Sequence, residues 1–192
     1  EEEEEEEETV FEGWVFNPDL IFTFYKVILH PTNIGYIVYP SGINTETAIF
    51  GDSISNTRVK GCFGFNDLGR LSGREISSVT LKLEKYKFWG DPPPSLFSDI
   101  EVYLERTREI FPLDSGDWFG EIGIAKSFAY NQDPIEWSDN SLKNTIQERI
   151  NEDRRAEFGI LYYPNFDTDG DHQIDGREYR KEDISLIIEF AD

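Results

Sequence analysis

Apolar and polar residues alternate with a period of two along most of the chain from Tyr36 onward. The alternation is clearest in segments 59–65, 79–83, 100–104 and 184–190. Because successive side chains of a strand point to opposite faces of a sheet, this period predicts strands with one buried face. Short strands at this spacing, separated by turns rich in Gly, Asn and Asp, are typical of sandwiches. The pattern therefore predicts an all-β fold, a jelly-roll type of β-sandwich.

Two places depart from the simple alternation. After Leu83, the apolar residues Tyr86 and Phe88 fall on the opposite parity, which predicts a β-bulge. Further along, an apolar residue recurs every fourth position, which predicts one short amphipathic helix packed on the edge of the sandwich. That helix would bury Leu142, Ile146 and Ile150 and begin at Asp139 or Ser141, both favoured N-cap residue types.

The first 33 residues differ from the rest of the chain. They begin with eight consecutive glutamates and continue with two apolar strand candidates, TVFEGWVFN and DLIFTFYKVILHP. The second candidate has apolar residues on both faces, which is typical of a strand buried on both sides. Two interpretations fit: a central strand of the protein's own sandwich, or a donor strand that completes the sheet of a neighbouring copy. The donor strand would use Leu20, Ile21, Phe22, Phe24, Val27, Ile28 and Leu29.

Composition supports one domain and limits the partners. A chain of 192 residues with 38% hydrophobic content can bury one good core. We therefore divide it into an acidic N-terminal extension, residues 1–33, and one sandwich domain, residues 34–192. The formal net charge of −21 repels phosphate backbones, so nucleic acid is a poor partner and multivalent cations are good ones. The most apolar run, LIFTFYKVIL, is too short for a membrane span and is interrupted by a lysine.

The segment DTDGDHQIDGRE, between two predicted strands, spaces its acidic residues regularly. Oxygen donors fall at loop positions one, three, five, seven, nine and twelve, the positions that bind calcium in twelve-residue loops. The predicted Ca²⁺ ligands are Asp167, Asp169, Asp171, Gln173 through its backbone carbonyl, Asp175 and Glu178. A solvated acidic loop is the alternative, and it is less favoured because these like charges would repel one another without a cation.

Position six of this loop departs from the EF-hand pattern. His172 stands where glycine is usual, although histidine tolerates positive φ and Gly170 and Gly176 relieve the backbone nearby. With a strand before it, the loop resembles the calcium repeats of the thrombospondin type 3 kind. A metal that binds only the folded loop stabilises the fold. Since millimolar calcium is available outside cells, we place the protein in the extracellular space or on the cell surface, as a secreted chain whose signal peptide has been removed.

Residues for common enzyme chemistry are missing from the sequence. Only two histidines occur, no nucleophile elbow or phosphate loop is present, and the single cysteine, Cys62, excludes an internal disulfide. We therefore predict a protein that is not an enzyme. Polysaccharide binding would use exposed aromatic faces, and Trp89 and Trp118 are the candidates. Either tryptophan is also explained by packing in the core or against a loop.

The order of elements resembles a known family. It begins with VKGCFGFNDLGRLSGREISSVTLKLEKYKF, continues with SDIEVYL and a helical NSLKNTIQERI, and ends with EFGILYY and SLIIEF. Over residues 36–190 this order resembles the disaggregatase-related repeat. The resemblance implies a β-sandwich of a secreted or cell-surface protein, with polysaccharide binding in some members. Trp118 and Glu121 match the first half of the family's tryptophan–glutamate segment, and the second half is not matched.

Two functions are therefore expected from different classes. The first is a structural subunit of an extracellular filament, sheath or surface assembly, a homopolymer stabilised by calcium and joined by addition of the N-terminal strand. The second is a carbohydrate-binding module of a secreted or cell-surface protein. The apolar N-terminal segment and the predicted calcium loop favour the first, and the family resemblance favours the second.

Overall fold

The computed structural model describes residues 26–39, 42–52, 58–66, 68–90, 99–106, 110–114, 122–163 and 175–191. Within these ranges the chain forms thirteen strands and one α-helix. The elements are β1 (Lys26–Leu29), β2 (Asn33–Val38), β3 (Ile43–Asn44), β4 (Ala48–Asp52), β5 (Arg58–Phe65), β6 (Ile76–Leu83), β7 (Lys87–Trp89), β8 (Asp99–Glu105), β9 (Ile122–Ala129), β10 (Ile135–Trp137), α1 (Asn140–Asn151), β11 (Ala156–Tyr163), β12 (Gly176–Tyr179) and β13 (Ile184–Phe190).

The strands form two antiparallel sheets. The small sheet has the order β1-β13-β6-β10, and the large sheet has the order β7-β12-β4-β5-β11-β8-β9. Strand β2 pairs with β5, and the short β3 pairs with β2. Every described pairing is antiparallel. The predicted all-β sandwich with one short helix is therefore confirmed.

One apolar core lies between the two sheets. Strand alternation directs Phe63 and Phe65 of β5 and Phe158 of β11 into this core. The rings of Phe63 and Phe158 stack with their centroids 5.3 Å apart. Trp137 of β10, in the small sheet, meets Phe158 edge-on at 6.4 Å. Fully burying an apolar side chain of this kind contributes about 1.5–3 kcal/mol, so these contacts hold the two sheets together.

Helix α1 closes one side of the core. Its N-cap is Asp139, whose carboxylate accepts hydrogen bonds from the Leu142 amide at 3.0 Å and the Ser141 hydroxyl at 2.6 Å. Leu142, Ile146 and Ile150 are fully buried. The predicted helix and its buried face are confirmed, and Asp139 is the cap of the two considered. Within the described ranges, no helix has the length and hydropathy of a membrane span.

A second apolar cluster lies on the outer face of the large sheet. It consists of Ile37, Cys62, Ile110, Phe111 and Leu113. Because the irregular segment 110–114 contributes to this cluster, β5 is buried on both faces along most of its length. Alternation correctly groups Phe63 and Phe65 on one face of β5, but it cannot show that an irregular segment packs over the other face.

The chain changes sheets after Leu83. Strand β6 ends there in the small sheet, and β7 begins at Lys87 in the large sheet, where it pairs with β12. Lys85 lies between them with a φ of 59°, in the left-handed region, and turns the backbone. The predicted β-bulge is therefore wrong. The change of parity at Tyr86 and Phe88 marks the passage to another sheet.

Strand β1 is the outer strand of the small sheet. Its residues Val27, Ile28 and Leu29 pair with β13 of the same chain, and Val27 is buried in the core. The described part of the predicted donor strand therefore belongs to the sandwich of its own chain. The boundary predicted between residues 33 and 34 falls at the start of β2. The remaining donor residues lie outside the described residues, namely Leu20, Ile21, Phe22 and Phe24.

Candidate functional site

Strand β12 carries the end of the predicted calcium loop into the large sheet. It pairs with β4 on one side and with β7 on the other. Of the six predicted ligands, Asp175 and Glu178 are described. The other four lie outside the described residues, namely Asp167, Asp169, Asp171 and Gln173. The structure therefore places only the end of this candidate site.

The two described carboxylates have different surroundings. Asp175 directly precedes β12 and is 1% exposed. A carboxylate buried this deeply needs a cation or hydrogen-bond donors around it. Glu178 is half-buried, and alternation along β12 puts it on the opposite face from Arg177 and Tyr179. Its Oε2 accepts a hydrogen bond from the Trp89 indole N–H at 2.6 Å.

The metal assignment stays a prediction on these facts. In the described part of the chain, no three His, Cys, Asp or Glu side chains are grouped to hold a metal ion. Four of the six predicted ligands lie outside the described residues, so this finding does not test the predicted site. Asp175 is buried, and Glu178 is half-buried and accepts the Trp89 hydrogen bond through only one of its two carboxylate oxygens.

Arg177, which sequence reasoning missed, anchors β12 from its buried side. Its side chain is among the largest fully buried ones. The guanidinium donates hydrogen bonds to the carbonyl oxygens of Gln132 at 2.8 Å and Tyr130 at 2.5 Å, which follow β9 in the sequence. The Tyr86 ring centroid lies 4.2 Å from the guanidinium carbon. An arginine inside a short strand gives no periodic signal, so only the fold shows this anchor.

Two tyrosines complete the environment of Arg177. Burial raises the pKa of Tyr162 to about 12 and also raises the pKa of Tyr179, while the nearby Arg177 charge opposes both shifts. Both phenols are therefore neutral at physiological pH. Neutral rings thus surround the guanidinium that anchors β12, the strand that follows the predicted calcium loop.

Strand β7 places Trp89 beside Gly176, at the end of the predicted calcium loop, although the two residues are far apart in sequence. The register pairs Trp89 with Gly176 and Lys87 with Glu178. Trp89 is 36% exposed, and the Lys87 ammonium lies 3.9 Å from its ring centroid. Lys87 and Glu178 also line a groove of about 180 Å³. Its other lining residues are Lys85, Arg180, Glu182 and Asp183. Trp118, the second predicted sugar-binding residue, lies outside the described residues.

A larger open cleft of about 570 Å³ lies where β2 and β3 meet segment 110–114. Its walls combine apolar side chains such as Ile43 with two cations, Arg155 and Lys181. The Lys181 ammonium donates to the Thr32 carbonyl at 3.0 Å. Sequence reasoning missed this cleft because its walls come from distant parts of the chain.

The sheet edges differ in length and charge. The two main strand orders end at β1, β10, β7 and β9, which have four, three, three and eight residues, and the two-residue β3 ends the branch formed by β2. Strand β9 has one charged residue, Lys126, whose ammonium lies 3.1 Å from the Asp139 carboxylate. Ile122 of β9 is 51% exposed. Among the described residues, β9 therefore presents the longest edge with backbone groups able to pair with a further strand.

Neither the known protein families nor the curated proteins include a match to this chain. The family resemblance therefore rests on the quoted sequence segments alone.

Proposed function

We propose that the protein is a non-enzymatic, calcium-stabilised structural subunit of an extracellular homopolymer. In this proposal an apolar N-terminal strand of one copy adds to a sheet edge of the next copy. The observation that carries the proposal is the edge of β9, beside which the described residues place no further strand, and which has eight residues and a single, paired charge. Edges of this length and composition are usually protected by charges or coverings, because they pair readily with other chains.

The donor would be residues 20–25, LIFTFY, which lead directly into β1. This segment has no charge, and its aromatic and β-branched residues favour strand pairing. Since β1 pairs with β13 of its own chain, it would stay in place and act as the attachment point of the donor. Backbone hydrogen bonds along β9 would then provide affinity, and the exposed side chains of that edge would provide specificity.

Two deletions test the donor. Removing residues 1–25 leaves β1 intact, so a folded monomer that no longer polymerises is expected. Removing residues 1–8 deletes only the glutamates and is the matched control, which should still polymerise. Electron microscopy and analytical ultracentrifugation measure the assembly. Normal polymers from the longer deletion would overturn the proposal.

Two isoleucines with nearly equal exposure test the acceptor edge. Ile122 of β9 is 51% exposed and Ile43 of β3 is 52% exposed. Ile122→Lys adds a charge to the proposed acceptor and should reduce polymer length or abolish assembly. Ile43→Lys makes the same chemical change elsewhere and should leave assembly unchanged. Equal effects of the two substitutions would exclude β9 as the acceptor.

Calcium stabilisation is the second part of the proposal. Calcium at 100 times its dissociation constant should raise the free energy of unfolding by about 2.7 kcal/mol. Thermal unfolding with calcium and with a chelator measures the shift. Asp169→Asn and Asp171→Asn should remove it, whereas Glu46→Gln, an exposed acid outside the loop, should retain it. An unaltered melting temperature on chelation would exclude a stabilising calcium site.

A carbohydrate-binding function is the second candidate, supported by the contact of Trp89 with Lys87 and Glu178. The exposed part of the indole offers a flat apolar surface with charged groups at its rim. Binding to soluble polysaccharides, measured by affinity electrophoresis, should be lost in Trp89→Ala. Phe88→Ala is the matched control, since Phe88 is 41% exposed on the other face of β7. Equal binding by both variants would exclude Trp89 as the binding residue.

A further inference from the structure

Two oppositely charged side chains are buried together on the outer face of the large sheet. Lys60 of β5 is 1% exposed and Glu105 of β8 is 2% exposed, with Nζ and Oε1 3.8 Å apart. Strand β11 lies between these two strands, so the contact spans the width of a strand. The Tyr103 ring centroid lies 5.0 Å from the Lys60 Nζ. Tyr103 packs against Gly159 of β11, where a Cβ would be 2.2 Å from its Cζ.

A second buried carboxylate stands next to Glu105. The register of β8 and β11 pairs Leu104 with Phe158, and Glu105 and Glu157 are the next residue on each strand. Glu157 is 4% exposed. Its Oε2 accepts a hydrogen bond from the Ile110 amide, in the segment that covers this face. The amine and the two carboxylates are therefore held in one dry site on three successive strands.

Burying Lys60 and Glu105 in their charged forms costs free energy. Removing a lysine and a glutamate from water costs more free energy than their attraction returns, unless both are fully hydrogen bonded in good geometry. Condensing the two groups into a neutral amide removes both charges. Fixed groups in contact react as if present at about 10⁵–10⁸ M when they are well oriented. Burial also limits the access of water that would reverse the reaction.

We propose that Lys60 and Glu105 form an intramolecular isopeptide bond. After one proton passes from the Lys60 ammonium to the Glu105 carboxylate, the resulting amine attacks Cδ of the Glu105 carboxyl group. An N–C bond forms, the C–OH bond breaks, and one water leaves. Glu157 takes up the proton that Nζ loses and passes it to the departing hydroxyl. Overall, an ammonium and a carboxylate give an amide and water, so no oxidant, reductant or other reactant is required.

The bond joins two strands that are not neighbours in the large sheet. Strands β5 and β8 flank β11, so a link between Lys60 and Glu105 would hold three strands together. Separation of these strands would then require breaking a covalent bond. This inference does not depend on polymerisation, calcium or sugar binding.

Mass spectrometry of the intact, denatured protein tests the proposal. The unaltered protein should be lighter than its sequence by about 18 Da, the mass of one water. Proteolytic digestion should yield one branched peptide that joins the Lys60 and Glu105 fragments. The digest is decisive because cyclisation at a chain end or at an Asp-Gly pair also releases one water. A mass equal to that of the sequence, or separate Lys60 and Glu105 peptides, would overturn the proposal.

Variants assign the roles of the residues. Lys60→Met and Glu105→Ala should restore the full mass of each variant chain. Glu157→Gln keeps both reacting groups, and the loss of water should become slow enough to give a mixture of two masses. A complete loss of water in Glu157→Gln would exclude Glu157 as the proton carrier. The digest of the unaltered protein decides the main proposal even if a variant folds poorly.

An exposed ion pair provides the matched control. Lys82 and Glu84 approach more closely, at 2.8 Å, but their side chains are 29% and 40% exposed. Water there favours the separate ions, so no amide is expected. Lys82→Met should retain the mass deficit of about one water relative to its own sequence. Loss of the deficit in Lys82→Met would show that the bond lies elsewhere and would overturn the assignment.

Discussion

Along β5 and most of β11 the large sheet is buried on both faces, yet the two faces carry different chemistry. The inner face presents aromatic rings such as Phe63 and Phe158 to the small sheet. The outer face carries Lys60, Glu105 and Glu157, all buried, beside a small apolar cluster. Burial alone therefore does not decide whether a face is apolar. The element that covers it also matters.

The covering elements explain the difference. A second sheet satisfies its own backbone hydrogen bonds and needs only apolar side chains facing it. An irregular segment brings unpaired backbone groups, which need partners from the face beneath. The Ile110 amide donates to Glu157, and the Phe111 carbonyl accepts from Arg155. At the end of β8, Arg149 donates to the Glu105 carbonyl at 2.5 Å. Buried charged side chains therefore occur on the face that an irregular segment covers, where they pair with its backbone groups.

The largest expected effect is on the inner face. Phe158→Ala should lower the free energy of unfolding by about 3–5 kcal/mol, because a cavity opens between two sheets that cannot collapse into it. Phe111→Ala, on the outer face, should cost less, since an irregular segment relaxes more easily. Urea denaturation of both variants measures the difference. A larger loss of unfolding free energy for Phe111→Ala than for Phe158→Ala would contradict this prediction.

A smaller effect is expected when the outer cover loses a polar partner. Glu157→Ala should cost about 1–3 kcal/mol, since the Ile110 amide is left without its acceptor. Glu157→Gln retains an acceptor oxygen and should cost less. Hydrogen exchange of the Ile110 amide should accelerate in Glu157→Ala and stay slow in Glu157→Gln. Equal exchange rates would show that the cover does not depend on this carboxylate.

At the start of α1, as at Ile110, a backbone amide donates a hydrogen bond to a carboxylate, here that of Asp139. Burial opposes ionisation of Asp139, but hydrogen bonds from Ser141, Leu142, Lys126 and Trp137 outweigh it and hold its pKa well below the usual range. Asp139→Ala should cost about 1 kcal/mol through loss of the N-cap. Two of these donors, Ser141 and Leu142, belong to α1, and the other two come from the neighbouring strands β9 and β10.

The depressed pKa of Asp139 makes this stabilisation depend on pH. A carboxylate with a lowered folded-state pKa contributes fully above its unfolded pKa of about 4 and loses its contribution as pH falls toward the folded pKa. The difference in stability between the natural protein and Asp139→Asn should therefore be constant near neutral pH and shrink below about pH 4. Urea denaturation across this range measures it, and a difference that grows with acidity would contradict the assignment.

The smallest effect is expected at an exposed pair. Glu84 and Glu136 raise the pKa of Lys82, chiefly through the hydrogen bond and charge of Glu84. Solvent screens these contacts, so Lys82→Ala should leave the urea midpoint within experimental error. A clearly lower urea midpoint for Lys82→Ala would show that this exposed ion pair does stabilise the fold.

Much of the fold was predictable from local pattern. The alternation at Leu81 and Leu186 predicted strands that the small sheet contains, and the fourfold spacing at Leu142 and Ile146 predicted α1. Both patterns reflect which side of one element meets the core. The pattern wrongly predicts a bulge at the passage from β6 to β7, because a change of parity looks the same whether a strand bulges or changes sheets.

The candidate sites were less predictable. The sequence singled out Trp89 and Glu178 for different roles, and the register of β7 and β12 brings their side chains into a hydrogen bond. Nothing local links two residues so far apart in the chain. The calcium ligand order remains a prediction from spacing, since four of its six members lie outside the described residues.

The sequence by itself determined the elements whose residues share one face: the strands, the helix and the apolar core between two sheets. Local periodicity records that face directly, because each element buries the side that its own residues make apolar. Only the tertiary structure decided the pairings across distant segments, such as Lys60 with Glu105 and Trp89 with Glu178. Those contacts follow from strand order and register, which depend on how all elements pack together.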